Sequence, residues 1–261
     1  TNSMRGAAFL TGLKDAIVVD IGGTTSDVGS LVSGFPRMAS TTVDIGGVRT
    51  NFRMPDVFAI GLGGGSVVTD GGRSIGPRSV GYRIVEESLV FGGNTLTATD
   101  IMVRLGKAQI GDATKVTDID QDVAEEAYSA LRAMLERAVE RSRTSSSKLP
   151  VVVVGGGSIL MPDEVSGLTV LRPENYGVAN AVGAAIAQIS GEVDRIFSLD
   201  GSSREAALSS AENEARERAV AQGAKPGTIE VIEREDVPLA YLPGNATRIR
   251  VRVVGDMELV Q

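Results

Sequence analysis

Residues Val151–Val154 are four valines in a row, followed at once by Gly155, Gly156, Gly157 and Ser158. A run this short, this apolar and wholly β-branched reads as a strand buried on both faces, and such strands occur where helices cover both sides of a sheet. That one stretch points to an α/β layering. It also marks a place for a ligand, because ligands of α/β folds collect at the carboxyl ends of buried strands. A glycine run there lets a flat ring lie on the backbone with no side chain in the way. A tight strand-to-helix connection without a ligand explains the same residues equally well.

A second stretch, VVDIGGTTSDVGSL from Val18 to Leu31, is apolar, turns through two glycines and two threonines, and resumes as a strand. A hairpin of this kind turns successive backbone N–H groups toward an anion. Gly22 and Gly23 permit the backbone angles and a close approach, and Thr24 and Thr25 add hydroxyl donors for phosphate oxygens. Asp20 at the end of the first strand would repel bare phosphate, but suits a Mg²⁺ ion set between them through waters. Asp27, on the second strand, is placed to orient the turn or a water. A Gly-Thr hairpin with no ligand is the plainer alternative.

The rest of the chain supports alternating strands and helices. Ala16–Asp20, Val28–Val32 and residues 40–45 read as a meander, with shorter strand candidates at Val57–Ile60 and Ser88–Phe91. Thr97–Leu105 reads as a short helix. Thr117 or Asp118 would cap a longer one, whose apolar face runs through Val123, Ala127, Leu131, Met134, Leu135, Ala138 and Val139. Leu168–Leu171 reads as another strand. A helix with Val178, Ala181, Val182, Ala185, Ile186 and Ile189 on its face should follow. From Leu199 the chain turns rich in Ala, Glu and Arg, which predicts a surface helix, then strands at Ile229–Ile232 and Arg248–Val253 joined as a hairpin. The expected division is residues 1–198 and 199–261.

Composition narrows the chemistry. With no histidine and no cysteine among 261 residues, imidazole bases, Ser-His-Asp triads, thiolates and His-ligated zinc are all excluded. Any metal would be hard and held by oxygen. A net charge of -7 without a basic run argues against nucleic acid as a partner. No apolar run reaches membrane-spanning length, no signal peptide is visible, and the expected location is the cytoplasm.

In order along the chain, the DxGGTTxD hairpin, the long helix, the strand ending in GGGS and the small-residue helix NAVGAAIAQ resemble the second lobe of the actin, sugar-kinase and heat-shock chaperone ATPase superfamily. More closely, TNSMRGAAFLTG before the hairpin and FAIGLGGGSVVTDGGRSIGPRSVGY after it resemble the ATP-dependent hydantoinase/5-oxoprolinase family, its A-type subunit. The resemblance covers roughly residues 1–195. It departs from the family at RIVEESLVFGGNTLTATD, where a Pro-Gly-Pro stretch is usual. It implies a ribonuclease H-like second lobe, with a mixed sheet, flanking helices and a small C-terminal β extension. It further implies ATP and Mg²⁺ as cofactors, with Asp20 on the metal side and Asp20 and Asp27 as catalytic carboxylates. Gly22, Gly23, Thr24 and Thr25 would meet phosphates, Gly155, Gly156, Gly157 and Ser158 adenosine, and Gly63, Gly64, Gly65 and Ser66 the substrate. An inter-subdomain turn is an equal reading for that last group. The implied activity is phosphorylation and hydrolysis of a cyclic amide. A ketone carboxylase of the same family and a conformational, actin- or chaperone-like ATPase are the alternatives. Only one DxGGTTxD is present, so the chain is expected to be the C-terminal half of a larger subunit. Its partners would be the missing N-terminal lobe and a B-type subunit, and alone it should be inactive.

Overall fold

The computed structural model describes residues 1–39, 44–45, 48–49, 54–143, 148–186, 188–240, 242 and 245–257. It divides into two compact units, Thr1–Ala185 and Ile186–Gln261.

The first unit is built on a seven-stranded sheet. Strands β1 (Ala16–Ile21) and β2 (Ser26–Val32) form the expected hairpin, and β3 (Val57–Ile60) adds antiparallel to β2. On its other side β1 pairs in parallel with β4 (Val151–Val154), and β4 in parallel with β5 (Leu168–Leu171). Three antiparallel strands followed by two parallel to the first is the ribonuclease H-like order.

Alternation in β1 and β4 fixes the layers. Ile17, Val19, Ile21, Val151 and Val153 face one apolar layer, which takes in α2 (Ala98–Arg104) and Leu131, Leu135 and Val139 of α3 (Gln121–Ser142). Ala16, Val18, Val152 and Val154 face another, with Met4 and Ala7 of α1 (Asn2–Thr11) and Ala179 of α4 (Ala179–Ala185). All four valines are fully buried, as their composition predicts. α1 and α4 touch backbone to backbone, since a methyl group at Gly6 would collide with the Ala179 carbonyl and one at Gly183 with that of Asn2.

Three local expectations need correction. Ser88–Phe91 is not a strand: Leu89–Phe91 is a 3₁₀ turn ended by Gly92 in the left-handed region. It bends because Ser88 Oγ, Leu89 N–H and Val90 N–H all donate to the buried Asp100 carboxylate. The cap of α3 is Asp120, which accepts from the Asp122 N–H, rather than Thr117 or Asp118. The helix expected to run on through Ile189 stops at Ala185, and Gln188–Phe197 is a strand. Of the strand expected at 40–45, residues 40–43 lie outside the described residues.

That strand, β6 (Gln188–Phe197), belongs to the second unit. The division thus falls ahead of the one expected after residue 198, because β6 pairs along its whole length with β8 (Thr247–Asp256). β7 (Glu230–Pro238) pairs with the other edge of β8, which makes the expected hairpin into a three-stranded sheet. Helix α5 (Arg204–Ala221) lays Ala207, Ala211, Ala215 and Ala219 on Val193, Ile249, Val251 and Val253. The apposition is close enough that a side chain at Gly191 would strike the Ala215 carbonyl.

Candidate functional site

The turn between β1 and β2 is closed by Gly22 N–H donating to the Thr25 carbonyl at 2.9 Å. Gly23, Thr24 and Thr25 stand exposed at its tip. Two other glycine clusters converge on this turn. From the end of β4, Gly157 N–H donates to the Ile21 carbonyl at 2.7 Å, and a side chain at Gly157 would meet the Gly22 carbonyl at 2.5 Å. From residues 61–66, Gly64 N–H donates to the Gly22 carbonyl at 3.0 Å and Gly65 N–H to that of Gly23 at 2.7 Å. Gly63 lies flat against the turn, where a Cβ would come within 2.6 Å of Gly23 C and Thr24 N. Ser79 Oγ also donates to the Gly23 carbonyl, at 3.2 Å.

The consequence is a polarity. The carbonyls of Ile21, Gly22 and Gly23 are all engaged from behind. Among the described residues, nothing accepts from the N–H groups of Gly23, Thr24 and Thr25, nor do the two threonine hydroxyls have a partner. The turn therefore presents three consecutive unengaged N–H groups beside two hydroxyls, which is the pattern of an anion-binding nest.

Asp20 and Asp27 face each other as a cross-strand pair one step below the turn. Neither carboxylate accepts a hydrogen bond or joins an ion pair among the described residues. Burial first, and the Asp20 charge second, push the Asp27 carboxyl above its ordinary value, although the residue as a whole keeps contact with solvent. Like charges directly opposed in a sheet are unfavourable, and a cation relieves them. The donor set is all oxygen, as a hard divalent ion requires. No group of three or more acidic side chains occurs among the described residues, so an ion here would take its remaining ligands from phosphate and water, as Mg²⁺ does. Gly155, at φ 88°, leaves room for Asp20: a side chain there would collide with Asp20 Oδ1.

Of the residues expected at the site, Asp20, Gly22, Gly23, Thr24, Thr25, Asp27 and Gly155–Ser158 are thus brought together. Gly156 is exposed, whereas Ser158 is buried and its Oγ has no partner. A cavity of about 340 Å³ opens directly beyond this loop, lined by Ile159 and Met161 with Met102, Lys107, Tyr128 and Arg172. Lys107 Nζ lies 4.5 Å from the centre of the Tyr128 ring. Gly63, Gly64, Gly65 and Ser66 are buried behind the turn, with Ser66 Oγ accepting from the Gly63 N–H. Sequence reasoning missed Ser79 and Thr99, both of which hold this back layer through side-chain bonds to distant backbone.

Residues 3–118 match a family model described as Hydantoinase/oxoprolinase. That stretch, a little under half of the chain, is similar to the family. The hydantoinase/oxoprolinase match takes in the hairpin turn and the 61–66 loop, and stops short of β4. A search of curated proteins gives no match. Two solved structures share the fold. A nucleotide-free acetone carboxylase, described for ATP-dependent acetone carboxylation, superposes with a TM-score of 0.64 at 17% identity, over 99% of this chain and 49% of that one. The ATP-dependent caprolactamase from Pseudomonas jessenii superposes with a TM-score of 0.68 at 18% identity, over the same two shares. The chain therefore spans about half the length of each. No described helix is long and apolar enough to cross a membrane.

Proposed function

We propose that this chain is the second lobe of an ATP-dependent enzyme that phosphorylates and then hydrolyses a cyclic amide. The observation that carries this reading is the convergence of two further glycine clusters on a glycine turn whose Gly23, Thr24 and Thr25 N–H groups are unengaged. An unactivated amide is a poor electrophile, so coupling ring opening to ATP is chemically reasonable. Bound Mg-ATP would supply the phosphoryl group and the charge neutralisation that transfer to an amide oxygen needs.

The chain's own residues position and neutralise. The N–H groups of Gly23, Thr24 and Thr25 and the two hydroxyls hold phosphate oxygens. Asp20, given space by Gly155, faces the Mg²⁺ through waters. Asp27 holds a water or the turn itself. Gly155, Gly156, Gly157 and Ser158 form the adenosine side, with the adjoining cavity offering Tyr128 and Ile159 as apolar walls. None of these roles needs a histidine, in keeping with its absence. The other wall of the cleft would come from an N-terminal lobe of the same subunit, with a B-type subunit as a further partner.

Similarity to an ATP-dependent caprolactamase favours a cyclic amide, and similarity to an acetone carboxylase keeps a ketone as the second reading. Both are tested on the intact protein with ATP, by following ADP release with hydantoin, 5-oxoproline and caprolactam, and with acetone plus bicarbonate. Amide-dependent ADP release and ring opening are expected. Release only with acetone and bicarbonate would establish the carboxylase. Nucleotide-driven filament formation without turnover would overturn both.

A further inference from the structure

The peptide group between Gly64 and Gly65 is held at both ends. Its N–H donates to the Gly23 carbonyl at 2.7 Å. Its carbonyl, that of Gly64, accepts twice from one residue, from Thr99 N–H at 3.0 Å and Thr99 Oγ1 at 2.9 Å. Thr99 is 3% exposed, and its hydroxyl donates to no other group among the described residues.

Thr99 is itself fixed. It lies in the first turn of α2, where Thr97 and Asp100 form a capping box. Asp100 is fully buried and accepts from Thr97 N–H, Thr97 Oγ1, Ser88 Oγ, Leu89 N–H and Val90 N–H. A rigid helix start thus grips one glycine carbonyl, and that same peptide unit grips the turn. Glycines at 63, 64 and 65 have no side chains with which to hold their own conformation, so the grip has to come from outside.

We propose that residues 61–66 are a clamp behind the phosphate-binding turn, and that Thr99 is the positioning residue that sets it. The inference rests on the reading of that turn as a phosphate site. Two donors on the Gly64 carbonyl polarise the peptide and strengthen the bond from Gly65 N–H to the Gly23 carbonyl. That bond keeps the Gly23 carbonyl turned away from the anion. Without the Thr99 hydroxyl, the Gly64 carbonyl is held by one bond instead of two. The Gly23 carbonyl is then freer to tip toward the phosphate, where it repels. The role of Gly63–Ser66 is accordingly to shape the turn, not to touch substrate.

The test compares Thr99→Val, which keeps the shape and the N–H but loses the hydroxyl, with Thr99→Ser, which keeps the hydroxyl. Each is titrated with Mg-ATP and melted, and its backbone amide NMR signals are recorded without nucleotide. Thr99→Val is expected to bind about tenfold more weakly, the size of one lost hydrogen bond at a buried acceptor. Its Gly65, Gly23 and Thr24 amide signals should move, and Thr99→Ser should restore both. If Thr99→Val does not fold, Thr99→Ala, which only removes atoms, carries the same comparison. Unmoved amides and wild-type affinity in the valine variant would overturn the proposal. If the unaltered chain and the intact protein both fail to bind Mg-ATP, the phosphate reading falls. The amide signals then still decide whether Thr99 sets the turn.

Discussion

Single atoms decide much at this site. A methyl group added at Gly63 would sit 2.6 Å from backbone atoms of Gly23 and Thr24, neither of which can swing aside as a side-chain tip can. Gly63→Ala is expected to cost about 1–3 kcal/mol of stability by overpacking. Calorimetry should show Mg-ATP affinity falling at least as far as with Thr99→Val, because the turn itself is displaced. Asp27 makes a second prediction. Its carboxyl is held above the ordinary 3.8, so the folded state favours the protonated acid. That contribution is full below pH 3.8 and is lost as pH rises through the raised value. Asp27→Asn should therefore melt higher than the unaltered chain near pH 7, by roughly the few tenths of a kcal/mol typical of opposed like charges. The gap should close below pH 4. A gap that stays constant from pH 3 to pH 8 would mean that the Asp27 charge is not its source.

At the level of elements, legibility followed periodicity and glycine spacing. Val151–Val154, the β1–β2 hairpin and the alanine face of α5 were readable because each pattern admits few geometries. The strand β6 was not: Val178, Ala181, Val182, Ala185, Ile186 and Ile189 keep a helical spacing across the point where the helix ends. The alternation that would have revealed the strand, Ile189, Gly191, Val193, places a glycine at its centre. That glycine has its own reason. It lets α5 approach until Ala215 meets the sheet, so Gly191→Val should lower the thermal midpoint of the second unit by overpacking, roughly 1–3 kcal/mol in a chemical melt. The site was legible in its clusters and not in its back layer. Ser79 and Thr99 act through long-range bonds to backbone, which no spacing rule encodes. The sequence LTATD did carry a visible signal, a capping box opening α2.

For the molecule as a whole, the chain spans about half the length of the structures it resembles, and the proposed cleft would take its other wall from an N-terminal lobe. Titration of Mg-ATP should accordingly be weaker for this chain than for the intact protein, with Asp20→Ala weakening both. Acid should act from the other end of the chain. Hydrogen bonds from Arg216, and then Arg234, outweigh burial and hold Glu212 below its ordinary 4.5. The stability this gives is present above pH 4.5 and is lost as pH falls through the lowered value. Glu212→Gln should flatten part of the fall in melting temperature between pH 5 and pH 3. The four valines of β4 bear on the whole in another way. Identical side chains cannot tell one pairing register from the next, so a slip by one position would exchange valine for valine on both faces. What distinguishes the true register lies at the two ends of the strand: Ile17 N–H on the Pro150 carbonyl before it, and Gly155 N–H on the Tyr176 carbonyl and Gly157 N–H on that of Ile21 after it. The loop proposed to hold the nucleotide is therefore also one of the alignment marks for the central strand, so that altering it would act on the sheet as well as on the site.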